Sequence, residues 1–122
     1  MGQPVVQWQI LAKDPDKLMK FYTRLFAWES NTDNSLGYRV IDTGSERGIN
    51  GGIWPSPPEG HSLVSLYVEV DNVAEYAERA RDLGAAIIIS PQKLPDGDEM
   101  AIISDPEGIP VGLVKTGLRT ED

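Results

Sequence analysis

The stretch LVSLYVEVDNVAEYAERARDLGAA, Leu63 to Ala86, carries a strand, a cap and a helix in direct succession. Leu63 to Val70 alternates like a strand with one apolar side. Asp71-Asn72 supplies an N-cap, Val73, Tyr76, Ala77, Ala80 and Leu83 share one helical face, and Gly84 closes the helix. Three short extended segments follow, Ala86–Ile89, Met100–Ser104 and Val111–Lys115. The acidic run DGDE, Asp96 to Glu99, lacks the spaced oxygen ligands of a calcium loop and reads as a hairpin turn. The second half of the chain is therefore a β-α-β-β-β unit.

The first half repeats the pattern. Val5 to Leu11 alternates, with Gln7 and Gln9 on one face and Val6, Trp8 and Ile10 on the other. Asp14-Pro15 gives an N-cap followed by proline at the first helical position, and Pro15, Leu18, Met19, Tyr22, Leu25 and Phe26 recur at helical spacing up to a helix end near Phe26. Trp28–Thr32, Tyr38–Thr43 and Asn50–Trp54 are extended candidates separated by the turn-rich NTDNSLG and GSERGI. Gln7 matches Ser65, Asp14 matches Asp71 and Gly52 matches Gly112 at offsets of 57 to 60 residues, the mark of a duplicated unit. The expected architecture is an α+β fold of two βαβββ modules, whose curved mixed sheet surrounds a cavity with the helices on its outer face. Module one covers about 4–54, the proline-rich connector 55–62, module two about 63–115, and a polar tail 116–122, all in one domain.

Composition narrows the function. With 19 acidic and 11 basic residues the net charge is −8, and no run of Lys and Arg offers a phosphate-binding face, so nucleic acid is not an expected partner. The chain has no cysteine, which removes disulfides and thiolate metal sites and fits a cytoplasmic protein. No apolar run approaches the roughly 18 residues of a membrane span, so no membrane partner is expected. The glycines of INGG, Ile49 to Gly52, have neither phosphate-loop spacing nor a following Lys-Ser/Thr. The only histidine, His61, sits in the connector and makes a poor triad member.

The ordered series of DP before the first helix, FYTRLFAWE at its end, VEVDNV before the second helix, RDLGA after it and DPEG before the last strand resembles the vicinal oxygen chelate superfamily. That is the family of glyoxalase I, extradiol dioxygenases and bleomycin-resistance proteins. The resemblance implies paired βαβββ modules around a U-shaped cavity and a homodimer. In metal-dependent relatives the first and last strands of each module hold a divalent ion through His, Gln and Glu side chains. Those positions fall here on Gln7, Gly52, Ser65 and Gly112, of which only Gln7 is a plausible ligand. Shifting the match by one residue brings Val111, Leu113, Val64 or Leu66, none of them a ligand. The expectation is a protein with no metal and no other cofactor that binds a small organic molecule; the alternative is a metal-dependent glyoxalase-like lyase, isomerase or dioxygenase.

Strand parity places Gln7, Gln9, Ser65, Tyr67 and Glu69 opposite the helix-facing Val6, Trp8, Ile10, Leu66, Val68 and Val70. With Trp54 they form the candidate ligand-binding set. Glu69 as general base and Tyr67 as acid or hydrogen-bond donor are the only catalytic candidates, and both residues also suit a half-exposed sheet. Trp54 suits either a flat ligand or a core. Gly52 and Gly112 either widen the cavity floor or serve close packing at a module or dimer interface.

Overall fold

The computed structural model describes residues 2–33, 37–56, 62–94 and 97–115. The first strand, β1 (Val5–Ala12), leads to Asp14, whose carboxylate accepts a hydrogen bond from the Lys17 N–H at 3.1 Å and starts α1 (Pro15–Phe26) with proline in its first turn. The helix lays Leu18, Met19 and Tyr22 on the sheet, where Trp8, Ile10, Ala12, Ile41 and Ile53 meet them. Ile41 and Ile53 are fully buried, each side chain contributing about 1.5–3 kcal/mol relative to exposure. Ala27 then turns the chain in the left-handed region, φ 59°, ψ 31°. Three strands follow: β2 (Glu29–Asn31), β3 (Arg39–Asp42) and β4 (Gly51–Pro55). β2 pairs antiparallel with β3 and β3 with β4, and β4 returns parallel to β1, with Trp8 opposite Gly51 and Gln9 opposite Gly52.

The same order recurs in β5 (Leu63–Glu69), α2 (Val73–Asp82), β6 (Ala86–Lys93), β7 (Glu99–Ser104) and β8 (Pro110–Lys115). Asn72 caps α2 by accepting from the Glu75 N–H at 3.0 Å. Val73 and Ala77 bury against Val70, Ala101 and Leu113, with Val68, Tyr76, Ile87 and Ile103 around them. β8 lies parallel to β5, Tyr67 opposite Gly112, and β7 joins β8 to β6 by antiparallel pairing. The fold is α+β and consists of two βαβββ modules. The chain forms two compact units, one of residues 7–65, the other of residues from 66 onward together with those before Gln7. In the latter the Glu69 N–H donates to the Pro4 carbonyl at 2.9 Å.

Two details depart from the sequence expectation. β6 does not stop at Ile89 but runs on to Lys93 through Pro91, with register shifts between Ile87 and Ile89 and between Ile89 and Gln92. β6 is an outer strand that pairs with β7, and an outer strand tolerates a residue that cannot donate to a ladder. Leu66, expected to face the helix, is more than half exposed, because α2 covers Val68 and Val70 and extends no farther along β5. Leu94 N–H bonds to the Asp98 carbonyl at 2.7 Å where the β6–β7 hairpin was expected, and Glu99 already belongs to β7. Asp96, most of the connector including His61, and the tail 116–122 lie outside the described residues. No described helix is long and apolar enough to cross a membrane.

Candidate functional site

Register and parity assign the sheet face turned away from α1. In the unit of residues 7–65, Ile41, Ile53 and Trp8 point to the helix, so Gln7, Gln9, Val40, Gly52 and Trp54 take the other face. Val40 and Gln9 flank Gly52 on either side. Tyr38, just before β3, lays its ring over Gly52 and stacks on Trp54 with centroids 4.3 Å apart and planes 21° apart. A Cβ at Gly52 would collide with Cε1, Cζ and Oη of that ring.

Beneath the phenol lies a pair of amides. Gln9 is 4% exposed, and its Nε2 donates to Gln7 Oε1 at 2.9 Å. Its own Oε1 is buried and has no hydrogen-bond partner, an arrangement that leaves a strong acceptor desolvated and uncompensated. Burial raises the Tyr38 phenol above its ordinary 10.0, while a hydrogen bond from the Gln9 side chain works in the opposite direction. The face thus carries a phenol that is protonated at neutral pH and a stacked indole, over a buried acceptor that has no partner. Such groups hold an organic molecule by hydrogen bonding and stacking.

The other unit repeats the device with a different residue. Tyr67, 9% exposed, lies opposite Gly112, and a Cβ there would stand 2.6 Å from Cδ1, Cδ2 and Cε1 of its ring. Glu69 is half-buried at the end of β5, two residues along the same face. Ser65 is buried, 8% exposed, and belongs with residues 7–65. Each glycine therefore lies beneath a tyrosine ring of its own unit, which fills the space that a side chain would take.

This bears directly on the ion that the resemblance implies. Two of its four positions are Gly52 and Gly112, and a carboxylate at either would need the room that Tyr38 or Tyr67 fills. Gln7 Oε1 is engaged by Gln9, and Ser65 offers a single neutral hydroxyl. The residues present do not fit a divalent cation, which needs several anionic or imidazole donors converging. Among the described residues no three His, Asp or Glu side chains gather.

Tyr38 was missed as a site residue. Its signal was present in the sequence: in the extended segment Tyr38–Thr43, Tyr38, Val40 and Asp42 alternate against Ile41, so once Ile41 is placed in the core, Tyr38 shares the face of Gly52.

Comparison with known proteins agrees with this architecture. Residues 5–113 match the model of the Glyoxalase/Bleomycin resistance protein/Dioxygenase superfamily. A protein of Mycobacterium bovis named "Putative glyoxylase CFP32", and its counterpart in Mycobacterium tuberculosis, are 26% identical over 110 residues, which is 88% of this chain and 42% of the relative. The chain thus spans less than half the length of these curated relatives. Among solved structures, hypothetical protein BH1468 of Bacillus halodurans C-125 superposes with TM-score 0.70 at 13% identity over the whole of both chains. A Streptomyces coelicolor methylmalonyl-CoA epimerase variant in complex with 2-nitronate-propionyl-CoA does so with TM-score 0.63 at 16% identity, over 95% of this chain and 96% of the other. At these identities the likeness is one of fold.

Proposed function

The chain belongs to the Glyoxalase/Bleomycin resistance protein/Dioxygenase superfamily, and from that premise we propose that it binds a small organic molecule without a metal, on the sheet face that carries Gln7, Gln9, Tyr38 and Trp54. The observation behind this reading is the buried Gln9 Oε1, an acceptor without a donor beside an aromatic pair. The matching ligand is flat, carries an N–H or O–H group, and is neutral or cationic, since the protein's −8 charge draws cations at long range. Turnover forms no part of this reading. The chain then acts as a cytoplasmic homodimer in the manner of the bleomycin-resistance proteins it resembles.

The test is a thermal-shift screen of flat heteroaromatic amines and phenols, followed by calorimetric titration of any hit. A hit that binds stoichiometrically, is recovered unchanged and loses affinity in Gln9→Leu supports the proposal. The name glyoxylase on the curated relatives favours a second reading, a glyoxalase-like lyase, isomerase or dioxygenase with Glu69 and Tyr67 as the groups to test for proton transfer. Metal-stimulated conversion of a substrate with adjacent oxygens would establish that reading in place of the first.

A further inference from the structure

We infer that the outer face of α1 is a docking surface for an acidic, amphipathic segment of a protein partner. Both phenylalanines of the chain lie on this helix, and Phe21, Phe26 and Leu25 are 53%, 51% and 59% exposed. Aromatic side chains dominate cores and interfaces because they carry so much apolar area. Here they extend outward from a packed base. Phe21 meets Tyr22 edge-on at 5.0 Å, Tyr22 stacks on Trp28 at 5.9 Å, and Trp28 contacts Phe26 at 5.0 Å and Trp8 at 5.4 Å. The exposed rings are thus held by rigid neighbours, which lowers the entropy lost when a partner covers them.

Charge identifies that partner. Phe21 and Leu25 line an open groove of about 470 Å³ whose remaining walls are Lys17, Lys20 and Arg24. From Lys17 to Phe26 the sequence KLMKFYTRLF contains no acid, although the chain as a whole carries −8. Among the described residues none of these three cations is in an ion pair, and the nearby Asp16 is engaged by Arg39 at 2.9 Å. Aromatic anchors beside unpaired cations are the composition of an interaction hot spot, and the complement is a segment with apolar anchors flanked by Asp or Glu. A two-fold contact with a second copy would set Lys17, Lys20 and Arg24 against themselves. An anionic bilayer would attract three cations but be repelled by a chain whose net charge, with those three included, is −8.

The probe is a fluorescein-labelled synthetic helix with Leu at i, i+4 and i+7 and Glu elsewhere, followed by anisotropy against the full chain. Saturable binding is expected. Lys20→Glu with Arg24→Glu, and separately Phe21→Ser with Leu25→Ser, should each weaken it about tenfold or more. Raising the salt from about 50 to about 500 mM should weaken it in the parent and have little effect on what remains in the charge-reversed pair. The substituted side chains are exposed, so melting temperatures should stay close to the parent's, and the charge-reversed pair keeps the test valid if the apolar pair unfolds. Absence of binding, or binding indifferent to both pairs, overturns the inference. So does a dimer, seen by sedimentation, that these substitutions dissociate, which would make a second copy the occupant. So does co-sedimentation of the parent with phosphatidylserine–phosphatidylcholine vesicles that these substitutions abolish, in place of peptide binding, which would make the occupant a lipid surface.

Discussion

Gly52 and Gly112 each lie under a tyrosine ring where a side chain would otherwise stand, and the two contacts differ in which part of the ring is close. At Gly52 it is the phenol end of Tyr38, which stacking on Trp54 holds in place. At Gly112 it is the body of Tyr67, already buried on the neighbouring strand. Gly52→Ala and Gly112→Ala should each destabilise by about 1–3 kcal/mol, the range for overpacking, as read by urea denaturation. Gly51→Ala should be the most damaging of the three, since its Cβ would meet the Trp8 carbonyl, which is backbone and cannot swing aside. In a Tyr38→Ala background the penalty of Gly52→Ala should largely vanish, because the ring that opposes the methyl is gone; undiminished loss there would disprove the contact as its cause. Tyr38 also sets a pH dependence. Burial raises its folded pKa above 10.0, so the native state keeps a proton that the unfolded chain releases. Its contribution is therefore complete below about pH 10 and declines as the pH climbs past that value. Alkaline unfolding of Tyr38→Phe should be correspondingly shallower than that of the parent.

At the scale of elements, the helices were legible because their signals are local. Asp14 and Pro15 start α1, Asn72 starts α2 and Gly84, at φ 107°, follows its end, as the residue types require. The left-handed turn after α1 was not legible, because Ala27 occupies a position that glycine or asparagine usually takes. A non-glycine residue at φ 59° carries a strain of roughly 1 kcal/mol. Ala27→Gly should remove it and, after allowing for the greater freedom of glycine in the unfolded chain, raise stability by about 0.5 kcal/mol. A lower melting temperature would show that Ala27 has packing the backbone angle does not reveal. The extent of β6 was hidden for the opposite reason: Pro91 is a local breaker, and only pairing with β7 at Gln92 and Lys93 carries the strand past it.

For the molecule as a whole, duplication was readable from residues that recur at offsets of 57 to 60, whereas the reason for the two glycines lies in the tyrosine rings packed over them. Parity alone puts Gln9 and Tyr67 at corresponding places, opposite Gly52 and Gly112. It does not reveal that Tyr67 covers its own facing glycine while Gln9 leaves that role to Tyr38, from another strand. That substitution has a consequence for ions. A ligand sphere for Mn, Ni, Zn, Fe or Mg would need carboxylates where tyrosine rings now fill the space, and the remaining groups on those positions are an amide already bonded and one hydroxyl. An ion that bound the native state would raise its melting temperature by mass action, by an amount that grows with concentration. Chelator-treated protein should therefore show no saturable shift with any of the five ions at concentrations up to about a hundred times a typical micromolar dissociation constant, where a specific site would contribute about 2.7 kcal/mol. Elemental analysis of the protein as purified should likewise find no stoichiometric metal. A shift that saturates, and that disappears in Gln7→Leu, would instead mean that Tyr38 and Tyr67 yield their positions to a ligand set drawn from elsewhere. The metal-dependent reading would then replace the binding one.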